Sequence, residues 1–402
     1  MNYAGSFTGP VTPLWQQSNQ VAYGFIYLKR GLFMQEKFNY LNISALSLLL
    51  IAGVSHAAVS PETRSLDELY QRALKEGNEV TVYAGGDTAG QQDGIKKAFE
   101  KRFPGIKLNV IVDYSKFHDA RIDNQLVSGT LVPDVVQLQT LQDYPRWKQE
   151  GVLLNYKPRG WDKIYPAFRD QDGAWTGVFV DAFSNVVNTK ALSEKEWPRE
   201  AKDYLNPSLK GKIVVTWPND DDAVLFWFKQ VVDQYGWEYV QKFVEQAPQL
   251  VRGTQAPADD VESGKAVATF STDGSLVPDE KAHSRFVLPQ NDPFVSWAQR
   301  AAIMKGAKHP DAARLYLNWL TDKETQQNTW YMWSVRTDVT PPKGYKPIWE
   351  YKNTHPDAFA AFMQDREAVE RFRSQMTLYF GEVKGEPSPG WLGLHPREAL
   401  AH

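Results

Sequence analysis

Cysteine is absent from the 402 residues. That excludes disulfide scaffolds, thiolate metal sites, cysteine nucleophiles and cysteine-linked lipid anchors. A surplus of one charge is missing too: 45 Lys and Arg stand against 48 Asp and Glu, a formal net charge of −3. Dedicated nucleic-acid binders carry a basic footprint, so no nucleic-acid partner is expected. Long apolar runs are also lacking. The stretch 43–54 is apolar and uncharged but falls short of the ~20 residues a membrane-spanning helix needs. A mean hydropathy of −0.48 excludes a polytopic membrane protein. The phosphate-binding, zinc-protease, nucleophile-elbow and dinucleotide glycine motifs are all missing. The 7 histidines show no metal-ligand spacing, so neither catalytic residues, a resident metal nor a cofactor is expected. What the chain has in plenty is aromatic side chains, 13% of residues with 14 Trp, enough to fill a large core, line a pocket, or both.

The N-terminal region reads as a targeting segment. Lys37 precedes the apolar stretch, and Ser55-His56-Ala57 offers small residues at −3 and −1 of a cleavage site. This is the pattern of a secretory signal peptide over 34–57, with a membrane anchor as the alternative. Residues 1–33, ahead of Met34, fit no part of a signal peptide and are read as a non-native extension. A protein released into the periplasm is expected.

From 79 onward strands and helices alternate. Strands are predicted at 79–84, 106–112 and 133–138, and helices at 95–103, 120–127 and 144–149, the signature of a parallel sheet covered by helices. The run 175–188 is strand-prone throughout. A second α/β set follows: strand 211–216, helices 222–235 and 237–246, and strands 249–252, 266–270 and 285–289. Helices close the chain at 310–320, from 323, and from 357 to about 379.

Four stretches carry a resemblance to a known family. One is Val80-Thr81-Val82-Tyr83-Ala84-Gly85-Gly86, with the helix that ends at Phe103-Pro104-Gly105-Ile106. The second, Leu205-Asn206-Pro207-Ser208-Leu209-Lys210-Gly211-Lys212-Ile213, is similar to an L-x-x-P-x-x-K-G-K-I segment. The third is Val261-Glu262-Ser263-Gly264-Lys265-Ala266-Val267-Ala268. The fourth, 302–314, is similar to K-G-A-x-x-P-x-A-A. In this order and spacing they resemble the type II periplasmic solute-binding proteins of ABC importers, on the branch that includes ferric-iron binders. The resemblance implies two Rossmann-like α/β lobes joined by two crossing strands, with a ligand cleft between them. Lobe 1 would be 58–180 plus 290–402 and lobe 2 would be 181–289. It also implies a small-molecule ligand, ABC permease subunits as partners, a monomer, and no chemistry on the ligand.

Ligands in such folds sit at strand carboxyl ends and helix N-termini. Candidates are therefore Gly86, Asp87 and Thr88 after the first strand, and Gln137, Gln139 and Thr140 around the end of the third. Asp181 and Phe183 lie on the crossing run. Trp217, Asn219, Asp220 and Asp221 follow a second-lobe strand, Arg252 and Thr254 another, and Ser271 and Thr272 a third. Trp297 and Trp330 are candidates for a stacking wall. Aspartates at a helix start are also common caps. If they face the cleft instead, the ligand should be cationic or rich in donors. Iron binders of this branch use an adjacent tyrosine pair, and the corresponding stretch here, Thr269-Phe270-Ser271-Thr272-Asp273, has none. An organic solute or a chelated metal fits better. A secreted carbohydrate-active enzyme or lectin, and a sensor presenting its ligand to a receptor, are the alternatives.

Overall fold

The computed structural model describes residues 59–277, 279–328 and 332–385. The expected signal peptide at 34–57, the expected extension at 1–33 and Trp330 lie outside the described residues. Among the described residues, no helix is long and apolar enough to cross a membrane.

The first half builds one α/β layer system. Its elements are α1 (Leu66–Glu76), β1 (Glu79–Gly85), α2 (Asp93–Arg102), β2 (Lys107–Asp113), α3 (Ser115–Ser128), β3 (Val135–Leu138) and α4 (Asp143–Gln149). The alternating apolar residues of β1 are buried on both faces, as a central parallel strand requires. It pairs in parallel with β2, Val80 opposite Leu108, and with β3, Val82 opposite Val135. Helix α1 goes unread in the sequence, although Ser65 and Glu68 form a capping box at its start.

The long β4 (Thr176–Asn188) then joins two sheets. The second set comprises β5 (Val214–Thr216), α5 (Asp222–Tyr235), α6 (Trp237–Glu245), β6 (Gln249–Val251), α7 (Gln255–Glu262), β7 (Ala268–Thr272) and β8 (Ser284–Val287). The chain returns through β9 (Val295–Ile303), α8 (Pro310–Thr321), α9 (Lys323–Asn328), α10 (Ala358–Gln364) and α11 (Arg366–Phe380). The first part of β4 pairs antiparallel with β9, from Thr176–Ala301 to Phe183–Val295. Its second part pairs with β7 and β8. Strand β9 also pairs with β3, completing the order β2-β1-β3-β9-β4. On the far side β6 lies parallel to β5, and β5 is tied to β7 by the Ile213–Ala268 bridge and by Thr216 N donating to Ser271 Oγ at 2.9 Å. The result is two α/β lobes joined by crossing strands. The strand expected at 285–289 ends early as β8, and the return crossing is made by β9, with 288–294 looping out between them.

Two sequence expectations change. The single helix over 357–379 breaks at Asp365, whose carboxylate accepts from Ala368 N at 3.0 Å and caps α11. Residues 358–380, grouped by the sequence with the first lobe, pack on the aromatic core of the second: Phe359 meets Phe226 at 5.6 Å, Phe372 meets Trp237 at 5.5 Å and Phe380 meets Phe228 at 5.2 Å between ring centroids. Their apolar stripe needs burial, and the α5–α6 face supplies it. The centre of that core is Phe270, stacked on Trp227 at 3.7 Å.

The Lys-Gly-Ala segment has a structural reason. The buried Asp134 carboxylate accepts from Thr81 N at 2.9 Å, Lys308 N at 2.7 Å and His309 N at 2.9 Å, fixing the start of α8 against the first sheet. Glu76 completes that start, accepting from Asp311 N at 2.8 Å and Ala312 N at 3.0 Å.

Candidate functional site: a cavity between the two sheets

The carboxyl ends of the parallel strands of both sheets converge on one cavity of about 250 Å³. Its floor is one face of the crossing strands. Phe179, Asp181 and Phe183 alternate along β4, so all three point the same way. Directly across the strand pair stand Gln299 and Trp297, opposite Phe179 and Asp181. Phe183 and Trp297 meet edge to face at 5.0 Å. The first-sheet wall is built from the loops after β1, β2 and β3: Gly85-Gly86-Asp87, Tyr114-Ser115-Lys116 and Gln139-Thr140. The second-sheet wall comes from the loops after β5, β6 and β7: Asp220-Asp221-Asp222, Gly253-Thr254 and Asp273.

Two polar contacts bridge the walls. The Asp87 carboxylate accepts from Thr254 N at 2.6 Å and Gln255 N at 2.7 Å, so a residue of the first wall caps helix α7 of the second. Gly253, at φ +75°, makes room for it: a Cβ there would come within 2.8 Å of the Asp87 carboxyl carbon. Lys116 Nζ donates to the Asp220 carbonyl at 2.7 Å and carboxylate at 2.5 Å. Arg252 reinforces Asp220 from behind, Nε to Oδ2 at 2.9 Å and Nη2 to Oδ1 at 3.1 Å.

Six aspartates and one lysine line the cavity. Burial works against the Asp220 carboxylate, but the Arg252 hydrogen bonds and the Lys116 charge outweigh it and hold its pKa below the ordinary range. Asp87, Asp221, Asp181 and Asp273 shift the opposite way. Burial raises the carboxyl of Asp87 despite its bonds to the α7 amides. It pushes Asp221 up to about 7, although Asp221 caps α5 through Ala223 N and Val224 N, both at 2.9 Å. Asp181 is raised well above the carboxylate range by burial and by the neighbouring Asp273, and Asp273 is raised by burial as well.

Of the residues singled out in the sequence, Gly86, Asp87, Gln139, Thr140, Asp181, Phe183, Asp220, Asp221, Thr254 and Trp297 line this cavity together. The structure sends the others elsewhere. Thr88 sits in the turn before α2, its carbonyl accepting from Gln91 N at 3.1 Å. Gln137 faces the core, where its Oε1 accepts from Tyr316 OH at 3.1 Å. Trp217 is buried behind the wall. Asn219 turns to α11, donating to Thr377 Oγ1 at 3.0 Å and the Gly381 carbonyl at 2.9 Å. Arg252 backs Asp220 without lining the cavity. Ser271 bonds the β5 backbone, and Thr272 is buried on the same strand. Position relative to the strand end explains part of the loss: Gln137 still lies inside β3, and Ser271 and Thr272 inside β7, whereas Gln139 and Asp273, past the strand ends, line the cavity. The sequence missed Tyr114, Ser115, Lys116, Phe179 and Gln299. The loop after β2 obeys the same strand-end rule as the loops that were read, and Phe179 shares the period of Asp181 and Phe183.

The chain belongs to the bacterial extracellular solute-binding protein family, whose profile matches residues 84–327. It is similar to an uncharacterized protein of Haemophilus influenzae, 23% identical over 309 residues, 73% of this chain and 83% of that protein. Among solved structures, iron-bound HitA from Pseudomonas aeruginosa is 18% identical, with 74% of this chain and 99% of that one covered and a TM-score of 0.59. The periplasmic binding protein AfuA from Actinobacillus pleuropneumoniae, with fructose-6-phosphate bound, is 18% identical, with 76% and 99% covered and a TM-score of 0.61. These likenesses establish the periplasmic-binding-protein fold. The family and these neighbours are binding proteins.

Proposed function

We propose that this protein is a periplasmic receptor that captures a small polar solute by closing its two lobes on it and delivers it to an ABC permease, without chemistry on the solute. One observation carries the reading: a single cavity is walled by strand ends of both sheets and floored by the crossing strands. A solute held there touches both walls and therefore binds the closed arrangement better than the open one, which shifts the equilibrium toward closure. The closed form is then the surface that the permease reads. The lobes are 58–180 with 290–402, and 181–289, and the C-terminal helices of the first stretch pack on the second lobe. Export through a signal peptide at 34–57 and a monomeric state complete the proposal.

Iron is disfavoured as the solute. HitA is iron-bound, but among the described residues here Tyr114 is the tyrosine that lines the cavity, and the stretch 269–273 has none. Ferric ion favours several hard oxygen ligands of the phenolate kind. A sugar phosphate such as the one in AfuA would meet six aspartates and a lysine already engaged with Asp220.

The test is a thermal-shift screen of the full chain against sugars, sugar phosphates, polyamines, amino acids, organic acids and ferric salts. A solute at 100 times its Kd stabilises by about 2.7 kcal/mol, a readable shift. One saturable hit supports the reading. No shift, together with hydrolysis of a glycan, contradicts it.

A further inference from the structure

We infer that the solute carries an organic cationic nitrogen, an ammonium or amidinium group, seated against Asp181 and Asp273 beside Trp297 and Phe183. The inference rests on the reading of this cavity as the solute site. Asp181 stands on β4 between two phenylalanines and opposite Trp297, in the floor of the cavity. Among the described residues its carboxylate has neither an ion pair nor a hydrogen-bond partner, and its neighbour in charge is another acid, Asp273. A half-buried carboxylate that lines a cavity beside a second acid, with no cation paired to it, is costly, and proteins keep such groups where something else supplies the counter-charge.

The protein's own cations do not supply it. Lys116 and Arg252 both bind Asp220, and Arg373 binds Asp222 at 2.5 Å. Asp181 and Asp273 are left facing the cavity with no cation among the described residues. The aromatic side chains beside them are the complement an organic cation needs, since ring faces attract ammonium and guanidinium groups. A bare metal ion fits less well, because among the described residues no three His, Asp or Glu side chains are placed to share one ion. Gln139 adds a direction. Its Nε2 is buried in the wall with no partner, a donor that calls for an acceptor on the solute away from the cationic end.

The experiment is isothermal titration of the full chain with spermidine, putrescine and choline as cations, glucose as a neutral probe and glucose 6-phosphate as an anion. It is run on the native protein, on Asp181→Asn and on Asp273→Asn. The expected result is one saturable site for at least one cation, weakened about tenfold or more by Asp181→Asn. The same variant should melt at a higher temperature than the native protein when no solute is present, because a half-buried carboxylate with no cation beside it, next to Asp273, has been removed. That second readout also shows that the variant folds. Saturable binding of glucose or glucose 6-phosphate with the cations silent overturns the charge inference and leaves the solute-binding reading standing. A cation bound equally by all three proteins overturns the assignment to Asp181 and Asp273. Silence of every probe, with no rise in the melting temperature of Asp181→Asn, overturns both.

Discussion

Replacing Asp87 by alanine should release the N-terminus of α7 and loosen the contact between the two walls. Asp87 belongs to the loop after β1, yet its carboxylate accepts the Thr254 and Gln255 amides at 2.6 and 2.7 Å, a capping role filled from the opposite side of the cleft. Loss of an N-cap costs about 0.5–2 kcal/mol. Hydrogen bonds to an ionised acceptor would place the loss near the upper end, but burial raises this carboxyl and offsets part of the gain. A loss of about 1–2 kcal/mol, acting on closure and leaving each lobe intact, changes the closed-to-open ratio about 5- to 30-fold. Hydrogen exchange of the amides in 253–258 reads this directly, and it needs no solute. In Asp87→Ala the protection of that segment should fall by that factor, while the cores around Phe270 and around β1 keep theirs. Unchanged protection in 253–258 would refute the idea that this carboxylate couples the walls. Equal loss in both cores would show a folding defect and refute it equally.

Further predictions concern charge, core and pH. Lys116→Met removes the second bridge and leaves Asp220 with Arg252 alone, so solute affinity measured by titration should weaken while the melting temperature changes little, the Lys116 side chain being partly exposed. A large fall in melting temperature with unchanged affinity would contradict this. Phe270→Ala removes a ring that is 1% exposed and stacked on Trp227, and a loss of about 3–5 kcal/mol is expected in a denaturant melt. A loss below about 1 kcal/mol would show that this core is loosely packed. Burial raises Asp181, Asp273 and Asp221, the last to about 7, above the unfolded carboxyl value. A raised carboxyl contributes stability that is present at low pH and lost as pH rises through its folded value. The melting temperature without solute should therefore fall as pH rises from about 6.5 through about 7, the value of Asp221. Below that window the buried His118, held well under its ordinary value by burial and by Arg121, works in the opposite sense, because it must give up its neutral form. A flat or rising melting temperature across the window would contradict the burial of these acids.

Much of the architecture is written in local pattern. Helix α5 begins at Asp222 and ends at Tyr235, where the sequence placed it, because a capping aspartate opens it and Gly236 closes it. The crossing strand was legible from an uninterrupted β-prone run. What local pattern does not carry is tertiary partnership. Helices α10 and α11 joined the second lobe through rings far away in sequence, and nothing in 357–379 alone says which aromatic face will receive them. Helix α1 is short and charged, so its apolar stripe of Leu69 and Ala73 is thin. In the site, the rule that ligands lie past strand ends found the right loops but not the facing side chains. It picked Gln137, Ser271 and Thr272, which still lie inside their strands, where the cavity is lined by Gln139 and Asp273 just past the strand ends. The bridges from Asp87 to α7 and from Lys116 to Asp220 join residues more than a hundred positions apart, and no local pattern marks them.

The central claim, closure on a solute held between the two sheets, is tested most directly by a distance across the cleft. The chain has no cysteine, so Lys97→Cys on α2 and Asp259→Cys on α7, both at exposed positions, give a unique pair of spin-label sites. Pulsed electron resonance on the full chain should show a broad or mixed distance distribution without solute. With the solute that stabilises the chain most, it should collapse to one short population. An identical distribution with and without saturating solute would contradict the account.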